Sequence, residues 1–161
     1  MRTVCIVGVV VLLDQISKWL VTESMAVGES ITVLGSFLRL TYVQNAGAVF
    51  GLTLGGKLLH LLLAGTALIL VGVMLWRIPG DERWSVTGLS LVLGGAIGNL
   101  ADRVRFGVVI DFLDFGFGGL RWWVFNLADF SVTTGVITLI AFSFFRREKE
   151  AEREGGGPPR G

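Results

Sequence analysis

Several charged and amide side chains lie inside otherwise apolar stretches of this sequence, at spacings that put them on common helix faces. Three pairs share this spacing: Asp14 and Lys18, Asn99 and Arg103, and Asn126 and Asp129. Residues three or four apart are neighbours on a helix surface. An Asp or Lys in the middle of a membrane helix costs roughly 2.5–3.5 kcal/mol on insertion scales, so such residues are rare and mark functional sites. The pairs therefore predict a polar site inside an apolar bundle.

The acidic residues favour hydrolysis by an activated water molecule. Five aspartates lie in or beside these segments: Asp14, Asp102, Asp111, Asp114 and Asp129. Two carboxylates that share a proton can activate water and protonate a leaving amine, without a metal or a covalent intermediate. The spacing alone does not say which two aspartates would form the pair.

Other hydrolytic chemistries lack the residues they need. The sequence has one histidine, His60, and no H-E-x-x-H motif, so neither a zinc site nor a serine–histidine pair is expected. Ser17 and Lys18 are adjacent and would point about 100° apart on a helix, which argues against a serine–lysine dyad. The single cysteine, Cys5, allows no internal disulfide. We therefore expect no metal and no cofactor.

Four long apolar runs must position these residues. They span residues 3–22, 57–76, 84–102 and 124–145, and each approaches the roughly 20 residues that a helix needs to cross a bilayer. The sequence is 52% hydrophobic and only 17% charged, which also favours a membrane protein. A cleavable signal peptide is the alternative for the first run. It is disfavoured because the run continues through Asp14 and Lys18 without a small-residue cleavage site.

The two long connections, 23–56 and 104–123, contain strand-like stretches. These cover residues 37–43, 108–115 and 120–125, and the last two flank a Gly-rich turn at 116–119. We predict an all-α integral membrane fold of four transmembrane helices, with a small extracytoplasmic β platform formed by both connections. Residues 1–145 are expected to form one domain, and 146–161 a charged, disordered cytoplasmic tail.

The basic residues predict an orientation. Eight Lys and Arg residues fall on the side of both termini and the 78–83 turn, and six on the other side, so the positive-inside rule puts both termini in the cytoplasm. The costly polar residues then lie in one layer near the extracytoplasmic face. Because Asp111 and Asp114 are an odd number of residues apart in a predicted strand, they should point to opposite faces.

Four motifs occur in order within residues 14–130. They are Asp14-Gln15-Ile16-Ser17-Lys18, Asn45-Ala46-Gly47-Ala48-Val49-Phe50-Gly51, a block from Gly94 to Arg103 followed by Val109-Ile110-Asp111-Phe112, and Phe125-Asn126-Leu127-Ala128-Asp129. Together they resemble the motifs of the lipoprotein signal peptidases (signal peptidase II), a family of membrane-embedded aspartic peptidases.

The resemblance implies a role for each matching residue. Asp111 and Asp129 correspond to the catalytic dyad. The supporting residues that it implies are Asp14, Lys18, Asn45, Gly47, Asn99, Arg103 and Asn126. Two positions depart from the family pattern: Phe130 stands where a small residue such as serine is expected, and Asp114 is an extra acid near Asp111.

The resemblance also implies a reaction and its partners. The substrate would be a diacylglyceryl-modified prolipoprotein in the bacterial inner membrane, cut on the N-terminal side of its lipidated cysteine. Membrane lipid is the other partner, and we expect a monomer. The net charge of +1, with scattered basic residues, argues against nucleic-acid binding.

Two other classes of protein fit the sequence less well. A small transporter or proton channel could use the same carboxylates as a relay, but a relay should cross the membrane. The inner halves of the predicted helices lack ionisable residues. A scaffold protein would not explain why the polar residues fall in one layer.

Overall fold

Four long helices dominate the computed structural model, which describes residues 1–47, 56–80, 82–117 and 119–155. They are α1 (Arg2–Ser24), α2 (Gly56–Arg77), α3 (Arg83–Arg105) and α4 (Leu127–Gly155). Each contains a stretch long and apolar enough to cross a membrane, so the four predicted runs are confirmed as helices.

The fourth helix differs from its prediction at both ends. It begins at Leu127 rather than at 124, because Phe125 still bridges to Leu113 of the sheet. It also continues to Gly155, so the described part of the segment after 145 is helical where disorder was expected. Residues 156–161 lie outside the described part of the chain, and the domain boundary at 145 stays a prediction.

Helix α3 lies at the centre of the bundle and contacts each of the other three helices. Glycines on two of its faces allow this close packing. A Cβ atom on Gly94 would lie 2.8 Å from the Cβ of Val10 in α1, and one on Gly95 would collide with the carbonyl oxygen of Ala128 in α4. Small residues let helix backbones approach closely in membrane bundles, and here they bring the polar faces of α1, α3 and α4 together.

The two long connections form a four-stranded antiparallel sheet in the order β1-β2-β3-β4. The strands are β1 (Ser30–Leu34), β2 (Leu38–Asn45), β3 (Val109–Phe117) and β4 (Leu120–Arg121). The predicted platform is thus present, while its extracytoplasmic position stays a prediction. Strand β1 was not predicted, because it is an edge strand whose five residues are all exposed and it therefore shows no buried face.

The predicted strand 120–125 is shorter than expected. Only Leu120 and Arg121 of this stretch pair with β3. Phe125 then forms an isolated β-bridge with Leu113. Between them the chain leaves the ladder at Trp122 and Trp123, which are largely exposed. The chain must turn there to enter α4, which starts two residues after Phe125.

The sheet rests on the C-terminal end of α1. Val21 and Met25 at that end pack against Tyr42 of β2 and against Ile110 and Phe112 of β3. This small core fixes β3 beside the bundle. The strand residue between Ile110 and Phe112 therefore points toward the polar ends of α3 and α4.

Candidate active site

Lys18 is the centre of a buried ion cluster between α1 and α3. Its Nζ lies 2.9 Å from Asp14 Oδ2, 2.8 Å from Asp102 Oδ2 and 3.1 Å from Asn99 Oδ1. The three hydrogens of an ammonium group are thereby all used. Lys18 is only 2% exposed and Asp14 is fully buried, so each charge depends on its partners for stability in the interior. The pairing of Asp14 with Lys18, expected from their spacing, is confirmed.

Asp14 also caps the start of α4. Its Oδ1 accepts a hydrogen bond of 2.9 Å from the backbone N–H of Ala128, one of the first N–H groups of that helix, which have no partner within the helix. A carboxylate is favoured there by the helix dipole as well. Helix α3 leaves room for this carboxylate at Gly98, where a Cβ atom would lie 2.5 Å from Asp14 Oδ2.

Asn126 and Asp129 form a reciprocal cap at the same helix end. Asn126 Oδ1 accepts from the backbone N–H of Asp129 at 2.9 Å, and Asp129 Oδ2 accepts from the backbone N–H of Asn126 at 3.4 Å. This is the capping-box arrangement, with the N-cap residue three positions before an acidic partner. The cap fixes the direction of the Asp129 carboxylate.

Asparagine amides connect Asp129 to Asp111. Asn99 Nδ2 donates to Asp129 Oδ1 at 2.7 Å, and Asn126 Nδ2 donates to Asp111 Oδ1 at 2.7 Å. Asn126 Nδ2 also donates to Asn99 Oδ1 at 3.1 Å, which joins the two halves. The other oxygen of Asp111, Oδ2, accepts from Asn45 Nδ2 at 3.0 Å. Both carboxylates are therefore held by amide donors from three places in the fold: β2, α3 and the residue that precedes α4.

The electrostatics of Asp111 set it apart from an ordinary aspartate. Its side chain is almost fully buried, and burial raises its pKa from 3.8 to about 6. The hydrogen bond from Asn45 lowers the pKa, the negative charge of Asp129 raises it, and the bond from Asn126 and the charge of Lys18 lower it. The Asp129 carboxylate thus lies close enough for its negative charge to act on Asp111.

The two aspartates open onto one cavity of about 390 Å³. Its polar wall consists of Asn45, Asp111 and Asp129. The remaining lining is largely apolar: Trp122, Trp123, Val124, Phe125, Phe130 and Thr133. An apolar pocket with a few convergent polar groups is the usual form of a ligand site. The unexpected Phe130 is part of this lining.

The structure brings most of the sequence-predicted residues into one network. Gly47 joins it through its N–H, which donates to Asn45 Oδ1 at 2.9 Å. Arg103 lies at its edge, because its guanidinium contacts the carbonyl oxygen of Asn99 on its own helix at 3.3 Å. The rest of the second motif, residues 48–51, lies outside the described residues.

Asp114 points away from the cavity. It forms a salt bridge of 2.8 Å with Arg121 and accepts a hydrogen bond of 2.8 Å from Thr41. The expectation that Asp111 and Asp114 face opposite ways along the strand therefore agrees with their contacts. Asp114 has a structural partner on each side and no contact with the network around Asp129.

Two residues of the network were absent from the supporting set that the family resemblance implies. Asp102 pairs with Lys18 and also accepts from the backbone N–H of Ile110 at 3.2 Å, so it ties α1 to β3. Gln15 donates to Asp102 Oδ1 at 3.0 Å. The signal for Asp102 was its position three residues after Asn99 on the same helix face. Among the described residues, no group of three His, Cys, Asp or Glu side chains is arranged to hold a metal ion.

Comparison with known proteins identifies the family. The sequence model of the family Peptidase_A8, described as Signal peptidase (SPase) II, matches residues 6–145. The chain belongs to the signal peptidase II family.

Similar curated proteins span nearly the same length. The lipoprotein signal peptidase of Pelotomaculum thermopropionicum is 42% identical over 151 residues, which cover 92% of this chain and 95% of that protein. The lipoprotein signal peptidase of Halothermothrix orenii is 41% identical, over 89% of this chain and 95% of its own. A bacterial membrane enzyme solved by the in meso method has a TM-score of 0.83 at 28% identity, covering 99% of this chain and 94% of that one.

Membership in the signal peptidase II family makes the chain a peptidase. With four helices able to cross a membrane, it fits a protein of the bacterial inner membrane.

Proposed function

We propose that this peptidase removes the signal peptide from diacylglyceryl-modified prolipoproteins, and that Asp111 and Asp129 are its catalytic pair. One observation carries the proposal: the two carboxylates line the same cavity and are coupled through Asn126 and Asn99. The relatives named above are lipoprotein signal peptidases, which supports this substrate class. The family designation Peptidase_A8, with the A used for aspartic peptidases, supports carboxylate chemistry.

The two aspartates are suited to different tasks. Asp129 lies at the start of α4, where the helix dipole favours a negative charge, and is the proposed base. Asp111 has the raised pKa and is the proposed proton donor. Pairs of carboxyl groups whose environments differ in this way divide acid and base roles between them.

The proposed reaction uses one water molecule and no metal. The water oxygen bonds to the scissile carbonyl carbon as Asp129 takes a proton from the water. At the same time Asp111 gives its proton to the carbonyl oxygen. Collapse of the tetrahedral intermediate returns that proton to Asp111 and breaks the C–N bond. The leaving amine departs with the proton that Asp129 had taken. The products are the signal peptide, with a new carboxyl end, and a lipoprotein with a free amine on its lipidated cysteine.

The proposed site lies at the membrane surface on the extracytoplasmic side, with both termini in the cytoplasm. Trp122 and Trp123 line the cavity and are largely exposed, and aromatic residues of this kind favour the headgroup region. A cysteine anchored by its acyl chains at that depth would bring the bond on its N-terminal side to the cavity. We propose that the monomer is sufficient, since both aspartates and their amide partners come from one chain.

The test is cleavage of a lipidated precursor peptide by the purified full-length chain. Mass spectrometry should locate the cut on the N-terminal side of the diacylglyceryl-cysteine, and the same peptide without lipid should be cut far more slowly. Activity should survive a strong chelator. Cleavage at another bond, or loss of activity on chelation that zinc restores, would contradict the proposal.

A further inference from the structure

A histidine of α2 contacts the chain just after the end of strand β2. The Nε2 atom of His60 lies 2.9 Å from the carbonyl oxygen of Gly47. Because a carbonyl oxygen can only accept, this ring nitrogen must carry the hydrogen. Helix α2 packs mainly against α3, and its apolar span buries no residue. The histidine therefore adds a directed polar contact to a helix whose apolar span buries no residue.

Gly47 is shaped for this contact. Its φ of +84° lies in the left-handed region, which glycine adopts without the steric cost of a side chain. A Cβ atom at this position would lie 2.5 Å from His60 Nε2. The approach of the imidazole ring to the backbone therefore depends on the absence of a side chain at Gly47. This explains in physical terms why the motif has glycine at this position.

The contact continues to Asp111 through Asn45. The N–H of Gly47 donates to Asn45 Oδ1 at 2.9 Å, and Asn45 Nδ2 donates to Asp111 Oδ2 at 3.0 Å. Because the N–H of Gly47 occupies the amide oxygen of Asn45, the amide nitrogen is the atom that faces the carboxylate. A shift of the backbone at Gly47 would release this orientation.

We propose that His60 is a positioning residue of the peptidase: it holds the backbone at Gly47 so that Asn45 presents its amide nitrogen to Asp111. The inference rests on the proposed role of Asp111. In this chain of contacts His60 reaches Asp111 through Gly47 and Asn45. A histidine that merely anchored α2 would affect the amount of folded protein but leave the chemistry of each folded molecule unchanged.

The test replaces His60 in the full-length chain by Gln, whose Nε2–H can donate to the same carbonyl, and by Leu, which cannot donate. We expect His60→Leu to lower kcat about tenfold to a hundredfold, as small misplacements of reacting groups do. KM should change by less than about threefold, since substrate contacts remain. His60→Gln should recover most of the lost turnover. Leu62→Ala, on the exposed surface of α2, is the control for a general effect on that helix.

A titration of the Asp111 carboxyl by 13C NMR gives a second readout, which an anchoring role would not move. The hydrogen bond from Asn45 lowers the pKa of Asp111. The pKa of Asp111 should therefore rise in His60→Leu and stay at the parent value in His60→Gln. If His60→Leu does not accumulate, His60→Ala serves as the donor-free variant.

Parallel measurement of Asp111→Asn separates the two proposals. If Asp111→Asn still cleaves, the proposed function fails. If Asp111→Asn is inactive while the donor-free His60 variants keep the parent kcat and the parent Asp111 titration, only the role of His60 is overturned.

Discussion

Asn126 donates a hydrogen bond of 2.7 Å to Asp111, while its own amide oxygen caps the helix that carries Asp129. One fully buried amide thus fixes both proposed catalytic carboxylates at once. Its amide nitrogen holds Asp111 of β3, and its amide oxygen holds Asp129 of α4. Asn126 therefore links the two residues, while Asn99 and Asn45 hold further oxygens of their carboxyl groups.

Asn126→Ser separates these two tasks. Serine caps a helix about as well as asparagine, but its hydroxyl is too short to reach Asp111. We expect the variant to fold at near-parent yield and to lose about a hundredfold or more in turnover, as misplaced catalytic groups do. Asn126→Ala should show the same loss and also unfold more easily, by about 1 kcal/mol for the missing cap. Thermal unfolding and peptide cleavage measure both effects. Parent-level turnover in Asn126→Ser would show that the bridge is dispensable.

Removing the charge of Lys18 should affect folding more than catalysis. Lys18→Ala leaves Asp14 and Asp102 buried without their cation, a change that typically costs about 3–5 kcal/mol. Turnover per folded molecule should fall less, because Asn126 still holds the amide oxygen of Asn99. Folded yield in detergent and single-turnover cleavage are the measurements.

A compensating variant is the control for this prediction. Lys18→Met combined with Asp14→Asn and Asp102→Asn removes the whole ion cluster and should recover yield relative to Lys18→Met alone. Normal yield with abolished turnover in Lys18→Ala would instead mean that Lys18 acts directly in the chemistry.

The sequence predicted the helices well because each is an apolar run of about bilayer length. It also predicted the paired polar residues, since helical spacing alone puts Asp14 beside Lys18 and Asn126 beside Asp129. The strands of the platform were predicted less completely. Edge strand β1 has no buried face, and the chain leaves β4 early to enter α4.

Contacts between distant segments could not be read from spacing. The pairing of Lys18 with Asp102 joins residues 84 positions apart, and the cap of Asp14 on Ala128 joins residues 114 apart. Both depend on how α3 packs between α1 and α4. The contact of His60 with Gly47 depends likewise on the position of α2 relative to β2. The family resemblance favoured Asp111 over Asp114, and the contacts of Asp111 with Asn126 and of Asp114 with Arg121 add a structural distinction that spacing could not give.

The Asp111 carboxyl should titrate near pH 6. Because burial and the charge of Asp129 raise its pKa, Asp129→Asn should move the titration of Asp111 to lower pH. Site-resolved 13C NMR of labelled aspartate, assigned with Asp111→Asn, measures both values. A midpoint near pH 4 that Asp129→Asn does not change would show that the two carboxyls are not coupled.

The same raised pKa predicts how stability depends on pH. Between about pH 4 and 6 the folded protein binds the Asp111 proton more tightly than the unfolded chain does. Its contribution to stability is therefore lost as the pH rises through this window, at a cost of about 3 kcal/mol for a difference of about two pKa units. The thermal midpoint of Asp111→Asn should accordingly fall less between pH 4 and 7 than that of the parent protein.

The proposed orientation follows from a small excess of basic residues and is open to a direct test. A reporter enzyme that is active only outside the cytoplasm, fused after residue 161, should stay silent. The same reporter inserted at the β1–β2 turn, between Leu34 and Leu38, should be active. The reverse pattern would put the cavity on the cytoplasmic side and exclude the proposed substrate approach.

Cleavage of the lipidated precursor by three aspartate variants tests the catalytic assignment most directly. Asp111→Asn and Asp129→Asn should each fold and lose about a thousandfold or more in turnover, as removal of an acid or base does. Asp114→Asn is the matched control on the same strand. It loses its salt bridge to Arg121 but should keep turnover within about tenfold of the parent, since Asp114 is not in the lining of the cavity that Asp111 and Asp129 share. An inactive Asp114→Asn beside an active Asp111→Asn would contradict the assigned pair, and near-normal turnover in all three would contradict the aspartic mechanism.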